Sequence, residues 1–557
     1  MSNFDYILIA CFTLIIVFAG LSFSRTGSNI TSFFSGGGQI PWWISSISLF
    51  MSFFSAGTFV VWGSIAYESG FVAITIQWMM AISGLIIYFF IAKKWKQANV
   101  LTAAEFITRR FGRKTQKVYT YLFVLISFFT AGAFLYPVAK IVNVSTGYSI
   151  EAVIIFLGIT ILLYTVVGGL WAVLATDVLQ FIILTAGVII LVPLSLKAAD
   201  GFSTFVENTP DTFFNITNSE YNWGFLIGFL IYNTFFIGGN WAYVQRYTSV
   251  SSPKNAKKVA LLFAALYLIF PLIWMLPPML YRSINPVLDS VSQTEGAYLM
   301  ISKQVLPTGM LGLMIAGMVF ATASSVNTTL NMMAAVTTND LFKSWKPYAT
   351  EKQLMKVARW STLIFGVITI LVALTVPSLG GIVNVVLSIA AITGVALYAP
   401  PIWGLFSKRL TGRDIITVTT LSLFLNLILK FFSSQLFHYS PDRTTEQLAG
   451  ALIPLVLLAC AEFIRSFSPK ANMQFENYEK DHLKTPTTTG TLEDIKGKFL
   501  GIRTISVAAA CTGALMILIS IIAKTGVVYL LVLGLVITLG SLSAYRYSNR
   551  HLKKLKA

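Results

Sequence analysis

Two hydroxyl-rich segments inside long apolar runs hold the residue types that bind an alkali cation. Residues 52–58 read Ser-Phe-Phe-Ser-Ala-Gly-Thr, and small residues of this kind allow a membrane helix to unwind and present its carbonyl oxygens to an ion. Residues 321–328 place Ser324 and Ser325 on one helical face with Ala321. Hydroxyls of one helix and carbonyls of a broken neighbour are suitable sodium ligands. Close packing of small residues, or hydroxyls that bond back to their own helix, are competing interpretations.

Two further polar positions lie inside apolar runs. Asp177 is six residues into the run that starts at Trp171, and a lone carboxylate at that depth is costly unless it is paired, hydrated or ion-bound. An alternative is a water-accessible carboxylate near the cytoplasmic mouth. Asn233 precedes the run Phe-Ile-Gly-Gly-Asn at residues 236–240, where the glycines weaken a helix. Close packing accounts for these glycines as well as a ligand site does.

The composition places these residues in a membrane. The chain has 557 residues, of which 56% are hydrophobic and 11% are charged, whereas about 25% are charged in a soluble globular protein. A helix that crosses the hydrocarbon needs about 20 apolar residues, and the sequence contains about fifteen runs of this kind. It therefore predicts an all-α integral membrane protein with about 15 transmembrane helices.

The net charge of +18 lies mostly in short loops between the apolar runs, as at residues 93–96 and 109–114. With the N-terminus outside, alternate loops collect the basic residues on the cytoplasmic side, as the positive-inside rule requires. This pattern argues against nucleic acid and predicts a multi-pass protein of the cell membrane, a bacterial inner membrane, surrounded by lipid. The first apolar run follows Asp5 without a basic n-region, so we expect a retained span and no cleaved signal peptide.

Enzyme signatures are missing from the sequence. The glycines at residues 36–38 are not followed by a Lys-Ser/Thr pair, so they do not form a phosphate loop. The 3 histidines fall in predicted loops and the 3 cysteines lack metal spacing, which argues against a buried His-based site. We therefore predict no enzyme activity and an ion gradient as the energy source. The polar stretch 466–498 predicts a poorly ordered linker and not a soluble domain.

Glycines interrupt two runs that lie five runs apart, at Gly57 and at Gly238-Gly239. An odd separation gives two five-helix groups of opposite orientation, and interrupted first helices in inverted halves point to a binding site at the membrane midplane. The predicted division of the chain is an extra N-terminal helix (1–30), a first inverted repeat (40–200), a second inverted repeat (220–410), two additional helices (411–466), a cytoplasmic linker (467–500), and two C-terminal helices with a basic tail (501–557).

Residues 164–180, Tyr-Thr-Val-Val-Gly-Gly-Leu-Trp-Ala-Val-Leu-Ala-Thr-Asp-Val-Leu-Gln, resemble the signature of the sodium/solute symporter family. Residues 102–106 with Arg110-Phe111, the Gln245-Arg246 pair and the Ser324-Ser325 pair are similar to the same family, and the resemblance extends over about residues 1–470. It implies a LeuT-like core of ten helices in two inverted five-helix repeats. It also implies alternating access driven by Na⁺.

The resemblance implies a sodium site and indicates a second cation position. The implied sodium ligands are the carbonyl oxygens of Met51, Phe54 and Ala321 and the hydroxyls of Ser324 and Ser325. Some family members hold a second sodium at an acidic residue matching Asp177, with two serines one turn beyond the first site. In this chain Asn327 and Thr328 stand in place of those serines, which puts the second ion in doubt.

The resemblance also implies a solute site near the two breaks. Its predicted residues are Ser55, Thr58, Gln77, Asn233, Phe236 and Tyr267, with Phe236 in the position of an aromatic inner gate. Asn233 keeps the identity found in the sugar-transporting branch, whereas Tyr267 and Ala390 replace a lysine and a glutamine. The helix around residues 131–135 lacks the arginine that binds a sialic acid carboxylate. Lys140 lies further out, where it serves an anionic solute or snorkels to the interface.

These features predict a sodium-coupled symporter that imports a small organic solute, with a sugar or a related polyol or sugar derivative favoured. A monocarboxylate, an amino acid or another anionic solute is the alternative with the same mechanism. A membrane-embedded sensor is an alternative of another class, for which residues 466–498 are the candidate docking surface. A channel needs a continuous polar lining, whereas the polar clusters gather near mid-depth. No obligatory protein partner is evident.

Overall fold

The architecture comes from a computed structural model. It describes the chain except at residues 23–37, 101, 165–169, 289, 343–344, 347, 468–472, 485–491 and 556–557. It also leaves out the side chains of residues 20–21, 161–164, 172, 292, 324, 327–328, 331, 335, 339–341, 351–352, 355, 437, 480–484 and 492–494.

The described residues are almost entirely helical, as expected where every backbone polar group must be satisfied within the membrane. The helices are α1 (Asn3–Leu21), α2 (Trp42–Met51), α3 (Gly63–Ser69), α4 (Val72–Ile86), α5 (Ala92–Gln97), α6 (Ala103–Phe111), α7 (Arg113–Thr146), α8 (Ile150–Tyr164), α9 (Leu170–Ala198), α10 (Phe202–Glu207), α11 (Trp223–Gly239), α12 (Trp241–Thr248), α13 (Pro253–Trp274), α14 (Leu276–Ile284), α15 (Val291–Thr294), α16 (Ala297–Val305), α17 (Met310–Val336), α18 (Glu351–Thr375), α19 (Ile382–Trp403), α20 (Gly412–Phe431), α21 (Ser433–Phe437), α22 (Arg443–Ser466), α23 (Met473–Lys484), α24 (Leu492–Ile522) and α25 (Val527–Lys554). π-helical turns at Thr58–Trp62 and Ile87–Ile91 lead into α3 and α5, and a third at Thr337–Phe342 follows α17.

The lengths of these helices establish a multi-pass membrane protein. Ten spans of the described chain are long and apolar enough to cross a membrane, or eleven when α11 and α12 count as one bent span. Four shorter apolar helices, α1, α2, α8 and the first part of α17, fall at further predicted positions. Length and composition establish ten or eleven spans, so the count of fifteen stays a prediction.

Both predicted interruptions are present as breaks in helices. α2 ends at Met51, residues 52–55 are not helical, and helical structure resumes at Ala56, directly before the π-helical turn Thr58–Trp62. The second break lies at Asn240, one residue beyond the two glycines, and bends the α11–α12 pair by 61°. Asn240 starts α12 because its side chain accepts a hydrogen bond from the Ala242 N–H (3.0 Å). Gly239 allows α11 to pack closely on α19, since a Cβ at this position would lie 2.8 Å from the Ile402 side chain.

The packing of the helices shows the two repeats. α2 packs on α13 and α9, while its counterpart α11 packs on α4 and α19. Likewise α9 packs on α17, and its counterpart α19 packs on α7. If α2, α4, α7 and α9 are exchanged with their counterparts α11, α13, α17 and α19, each of these contacts is converted into another of them. This exchange is the relation expected for two inverted halves around a midplane site.

The N-terminal helix holds one end of α17, the helix that carries residues 321–325. The buried Asp5 Oδ1 accepts hydrogen bonds from the Gly309 N–H (2.8 Å) and the Gly312 N–H (3.1 Å) at the start of α17. A carboxylate satisfies the unpaired amides of a helix N-terminus and its positive dipole end. A Cβ at Gly312 would lie 2.4 Å from the Asp5 carbonyl oxygen, so the helices approach closely.

The predicted poor order of residues 466–498 differs from the structure at its described positions. Residues 473–484 form α23, and α24 already begins at Leu492. α23 packs against α6, where Phe475 contacts the guanidinium of Arg110 (5.0 Å) and the Tyr478 ring meets the Phe106 ring (6.0 Å). The two aromatic residues are three apart and share one helical face. The prediction of poor order was based on the mean composition of residues 466–498, which does not reveal this amphipathic spacing.

Candidate functional site

The first break leaves two backbone carbonyls without their helical partners. In a continuous helix the Ser55 N–H would bond the Met51 carbonyl, but it bonds the Phe53 carbonyl instead (3.1 Å). The Thr58 N–H, the helical partner of the Phe54 carbonyl, bonds the Ser55 carbonyl (2.9 Å). The carbonyls of Met51 and Phe54 are therefore released from the helix. These are the two carbonyls of the broken span that the resemblance implies as sodium ligands.

α17 meets this break through a direct hydrogen bond. The Ala56 N–H donates to Thr322 Oγ1 (2.9 Å), which itself donates to the Met318 carbonyl (3.0 Å). Ala321 and Ser325, the neighbouring predicted ligands, thus lie on the helix that touches the break. Ser325 Oγ reaches its own helix at the Ala321 carbonyl over a long 3.4 Å, a contact weaker than an ordinary O–H···O bond.

Met51 and Ser325 also line one cavity, on the side that carries the basic loops. We call it the cytoplasmic cavity. Phe54 and Ala321 are buried. The side chains of the remaining predicted cation ligands, Ser324, Asn327 and Thr328, lie outside the described residues, although their backbone belongs to α17.

Asp177 lines the same cavity, where it is paired and not alone. Ser48 Oγ donates to Asp177 Oδ2 (2.5 Å), and the Arg246 guanidinium lies 4.0 Å from the same oxygen. Arg246 Nε also donates to Ser48 Oγ (3.1 Å). The cluster connects α2, α9 and α12, three elements next to the two breaks. Arg246 entered the sequence analysis only through the resemblance of the Gln245-Arg246 pair, because nothing local shows its partner 69 positions earlier.

A second cavity of about 150 Å³ lies between the two breaks. We call it the solute cavity. Four of the six predicted solute residues line it, namely Ser55, Thr58, Asn233 and Phe236. Further lining residues that sequence reasoning missed are Trp62, Thr130, Tyr232, Tyr243, Thr393 and Tyr398. Single aromatic or threonine residues in apolar helices give no signal that separates a cavity wall from ordinary packing.

The hydrogen bonds around the solute cavity distinguish its polar groups. The Thr58 hydroxyl donates to the Phe53 carbonyl and accepts from the Ser55 N–H (3.2 Å), so it closes the break. Asn233 Nδ2 donates to the Phe229 carbonyl (2.8 Å), and its carboxamide oxygen retains capacity to accept a bond from a solute. The Thr58 hydroxyl is therefore engaged with the backbone of the break, whereas the Asn233 carboxamide oxygen keeps capacity to accept a hydrogen bond.

The structure does not bring Gln77 and Tyr267 to the solute cavity. Both side chains are buried, and Gln77 Oε1 accepts a hydrogen bond from Trp274 Nε1 (3.0 Å). The Tyr267 ring packs against the rings of Phe50 (5.2 Å) and Phe263 (4.9 Å). Aromatic packing between α2, α4 and α13 turns these two predicted residues away from the cavity.

An aromatic layer borders both cavities, which also share Ser52, Ile126, Thr130 and Phe134 in their walls. Phe236, Tyr243 and Tyr398 line both of them. The Phe236 ring lies 5.4 Å from the Tyr243 ring and 5.5 Å from the Tyr398 ring. Asn240 Nδ2 donates to the Tyr398 hydroxyl (3.1 Å), which connects the second break to α19. We call these three residues the inner aromatic layer.

Comparison with known proteins identifies the family. The model of the sodium:solute symporter family matches residues 33–417. The chain is 28% identical over 469 residues to a sodium/glucose cotransporter of Vibrio parahaemolyticus, covering 77% of this chain and 86% of that protein. It is 26% identical over 385 residues to a sodium/sialic acid symporter of Proteus mirabilis, covering 66% and 77%. A rabbit (Oryctolagus cuniculus) sodium/myo-inositol cotransporter 2 is 27% identical over 462 residues, covering 74% and 68%.

A solved structure, the substrate-bound outward-open state of a Na⁺-coupled sialic acid symporter, superposes with a TM-score of 0.68 at 21% identity. The match covers 85% of this chain and 99% of that one. The all-α, LeuT-like fold predicted from the sequence is thereby confirmed. Together with the family match, these observations confirm a multi-pass cell-membrane transporter, not an enzyme, with Na⁺ as its coupling ion. The chain belongs to the sodium:solute symporter family.

Proposed function

We propose that the chain imports a neutral sugar or a sugar-like polyol together with Na⁺. The observation that carries this proposal is the lining of the solute cavity. None of the described residues that line it carries a charge, and aromatic rings of Trp62, Tyr232 and Phe236 stand beside the polar groups of Ser55 and Asn233. Sugar rings present apolar faces and hydroxyl edges, which such a wall can contact together. An anion that entered this cavity would lose its hydration water without gaining a charged partner from the wall, which is unfavourable.

Two of the named relatives support the same solute class, since they are described as cotransporters of glucose and myo-inositol, whereas the third is described as a symporter of sialic acid, which is an anionic sugar. Ala390 contributes a methyl group to the cavity wall at the position where the sugar-transporting branch has a glutamine. Lys140, the candidate partner for an anionic solute, lines a separate opening on the opposite side from the basic loops. These differences favour a neutral solute that makes fewer polar contacts with α19 than a solute makes in the sugar-transporting branch.

Sodium binding would tie the first break to α17. The released carbonyls of Met51 and Phe54 would face the Ala321 carbonyl and the hydroxyls of Ser324 and Ser325, and the Ala56–Thr322 hydrogen bond already holds the two elements together. Oxygen ligands of this kind suit a hard cation. The ion drives transport only through its different affinities for the outward- and inward-facing states. Its release into the cytoplasmic cavity would loosen the break and the solute site with it.

The Asp177 cluster would act on the cytoplasmic exit and not as a second sodium site. Arg246 already lies 4.0 Å from the carboxylate, so a cation at Asp177 with Asn327 and Thr328 would have to compete with a fixed guanidinium. Because Ser48, Asp177 and Arg246 join three elements next to the breaks, their separation accompanies any opening of the cytoplasmic cavity. This arrangement favours one sodium ion per cycle.

A ligand screen on the purified protein tests the solute class. Thermal unfolding would be measured with neutral sugars, polyols, monocarboxylates and amino acids, each in Na⁺ and in choline. We expect a neutral sugar or polyol to raise Tm in Na⁺ and to lose most of that effect in choline, because only the sodium-bound break shapes the site. Stabilisation by a monocarboxylate or an amino acid, with no effect of any neutral solute, would contradict the proposal.

A further inference from the structure

A buried carboxylate joins three elements on the face opposite the basic loops, which the positive-inside rule places outside. Glu295 lies between α15 and α16, and only 1% of its surface is exposed. Its Oε2 accepts a hydrogen bond from the Tyr136 hydroxyl of α7 (2.9 Å), and its Oε1 accepts one from the Ile382 N–H at the start of α19 (2.8 Å). We call residues 290–305, which include α15 and α16, the outer segment.

Glu295 is a buried carboxylate held by two hydrogen-bond donors. Burial raises the pKa of Glu295 above its ordinary value, and the Ile382 N–H, the Tyr136 hydroxyl and the positive charge of Lys140 offset only part of this shift. Gly381 lets the carboxylate approach α19, since a Cβ there would lie 2.6 Å from Glu295 Oε1. Removing one donor would leave a buried carboxylate incompletely satisfied, which costs more than an ordinary lost hydrogen bond.

The outer segment packs on the wall of the solute cavity. The Tyr298 ring lies 4.6 Å from the Phe59 ring, and the hydroxyls of Thr294 and Ser64 share a hydrogen bond (2.9 Å). Phe59 belongs to the π-helical turn Thr58–Trp62, whose two terminal residues line the solute cavity. Glu295 is therefore connected to the outer half of the first broken span through one layer of side chains.

We propose that Glu295 is a positioning residue that keeps the outer segment closed over the broken span and so sets the balance between outward- and inward-facing states. The inference rests on the proposed sodium-driven alternation. External Na⁺ binds the outward-facing state, so weakening the closed outer segment increases the fraction of molecules that are competent to bind external Na⁺. The same change also slows the step of the transport cycle in which the protein passes through the state with its outer segment closed. Apparent sodium affinity and maximal rate therefore change in opposite senses.

The test uses Glu295→Gln, Tyr136→Phe and the double variant, reconstituted in proteoliposomes with their outer face exposed. Initial uptake would be measured against external Na⁺. We expect each single variant to lower the half-maximal Na⁺ concentration about tenfold, the effect of losing one hydrogen bond to a charged group, and to lower the maximal rate. The double variant should resemble the single variants, because both changes remove the same interaction.

Glu220→Gln is the matched control. Glu220 is a carboxylate on the same face that pairs with Arg443 (2.8 Å) and not with the donors of Glu295, so the half-maximal Na⁺ concentration of this variant should stay at the wild-type value. A lower maximal rate with unchanged half-maximal Na⁺ in both single variants would show a general loss of folded protein and overturn the role of Glu295. Strictly additive effects in the double variant would also overturn it. Uptake that needs no Na⁺ would instead refute the proposed function.

Discussion

Ser325→Ala is expected to raise the Na⁺ concentration for half-maximal uptake by about 10- to 100-fold. The hydroxyl lies on the helix that touches the first break, and it lines the cytoplasmic cavity with Met51. Among the described residues of its own helix, its hydroxyl contacts the Ala321 carbonyl over a long 3.4 Å, so its removal costs the fold little. An interaction with a charged group contributes about 1.5–3 kcal/mol, and about 1.4 kcal/mol corresponds to a tenfold change. Initial uptake rates over a range of Na⁺ concentrations measure the effect.

Two further variants separate ion binding from general damage. Ser325→Thr keeps a hydroxyl at the same position and should restore most of the sodium affinity. Ser506→Ala removes a buried hydroxyl that donates to the Ile502 carbonyl of its own helix (2.7 Å) in α24, which carries none of the proposed sodium ligands, and should leave the sodium dependence unchanged. An unaltered sodium dependence in Ser325→Ala would count against the proposed ligand set.

Asn233→Ala is expected to raise the solute concentration for half-maximal uptake by about 10- to 100-fold while sodium binding persists. The carboxamide lines the solute cavity, and one of its amino hydrogens is already used by the Phe229 carbonyl (2.8 Å). Losing a hydrogen bond to the solute leaves a buried polar group of the solute unpaired, which costs about 1–3 kcal/mol. Uptake kinetics at saturating Na⁺ give the solute dependence, and Na⁺-induced thermal stabilisation without solute gives ion binding.

Thr234→Val is the control for Asn233→Ala because Thr234 is buried one position further along α11. Its hydroxyl donates to the Leu230 carbonyl (2.9 Å) and lies 3.3 Å from the Ser83 hydroxyl, and the residue does not line the solute cavity. The half-maximal solute concentration should therefore keep its wild-type value in Thr234→Val. If both variants shift solute affinity equally, Asn233 acts through the packing of α11 and not through contact with the solute.

The sequence was most informative where local chemistry decides structure. Small and hydroxyl residues at 52–58 predicted the first break, and the structure adds that the Thr58 hydroxyl closes it onto the Phe53 carbonyl. The glycine pair predicted the second break to within one residue, because the cap that starts α12 is Asn240. Helix-breaking and capping are short-range effects, so a single sequence contains them.

Side-chain direction and distant pairing were beyond the reach of the sequence. Gln77 was expected at the solute, yet its partner is Trp274, 197 positions away. The sequence leaves open whether Asp177 is paired, hydrated or ion-bound, because Ser48 and Arg246 reach it only after α2, α9 and α12 have assembled. Glu295 gave no signal at all, since both of its donors come from other helices. Each of these contacts depends on tertiary packing, which periodicity does not encode.

The mechanism requires that a sodium ion join carbonyls freed at the first break to hydroxyls of α17 and that its gradient move the solute. Accumulation of a labelled solute in proteoliposomes, with an inward Na⁺ gradient or with choline replacing all Na⁺, tests this requirement most directly. The mechanism predicts concentration of the solute above its external level in Na⁺ and only equilibration or no uptake in choline. Equal accumulation in both solutions would contradict it.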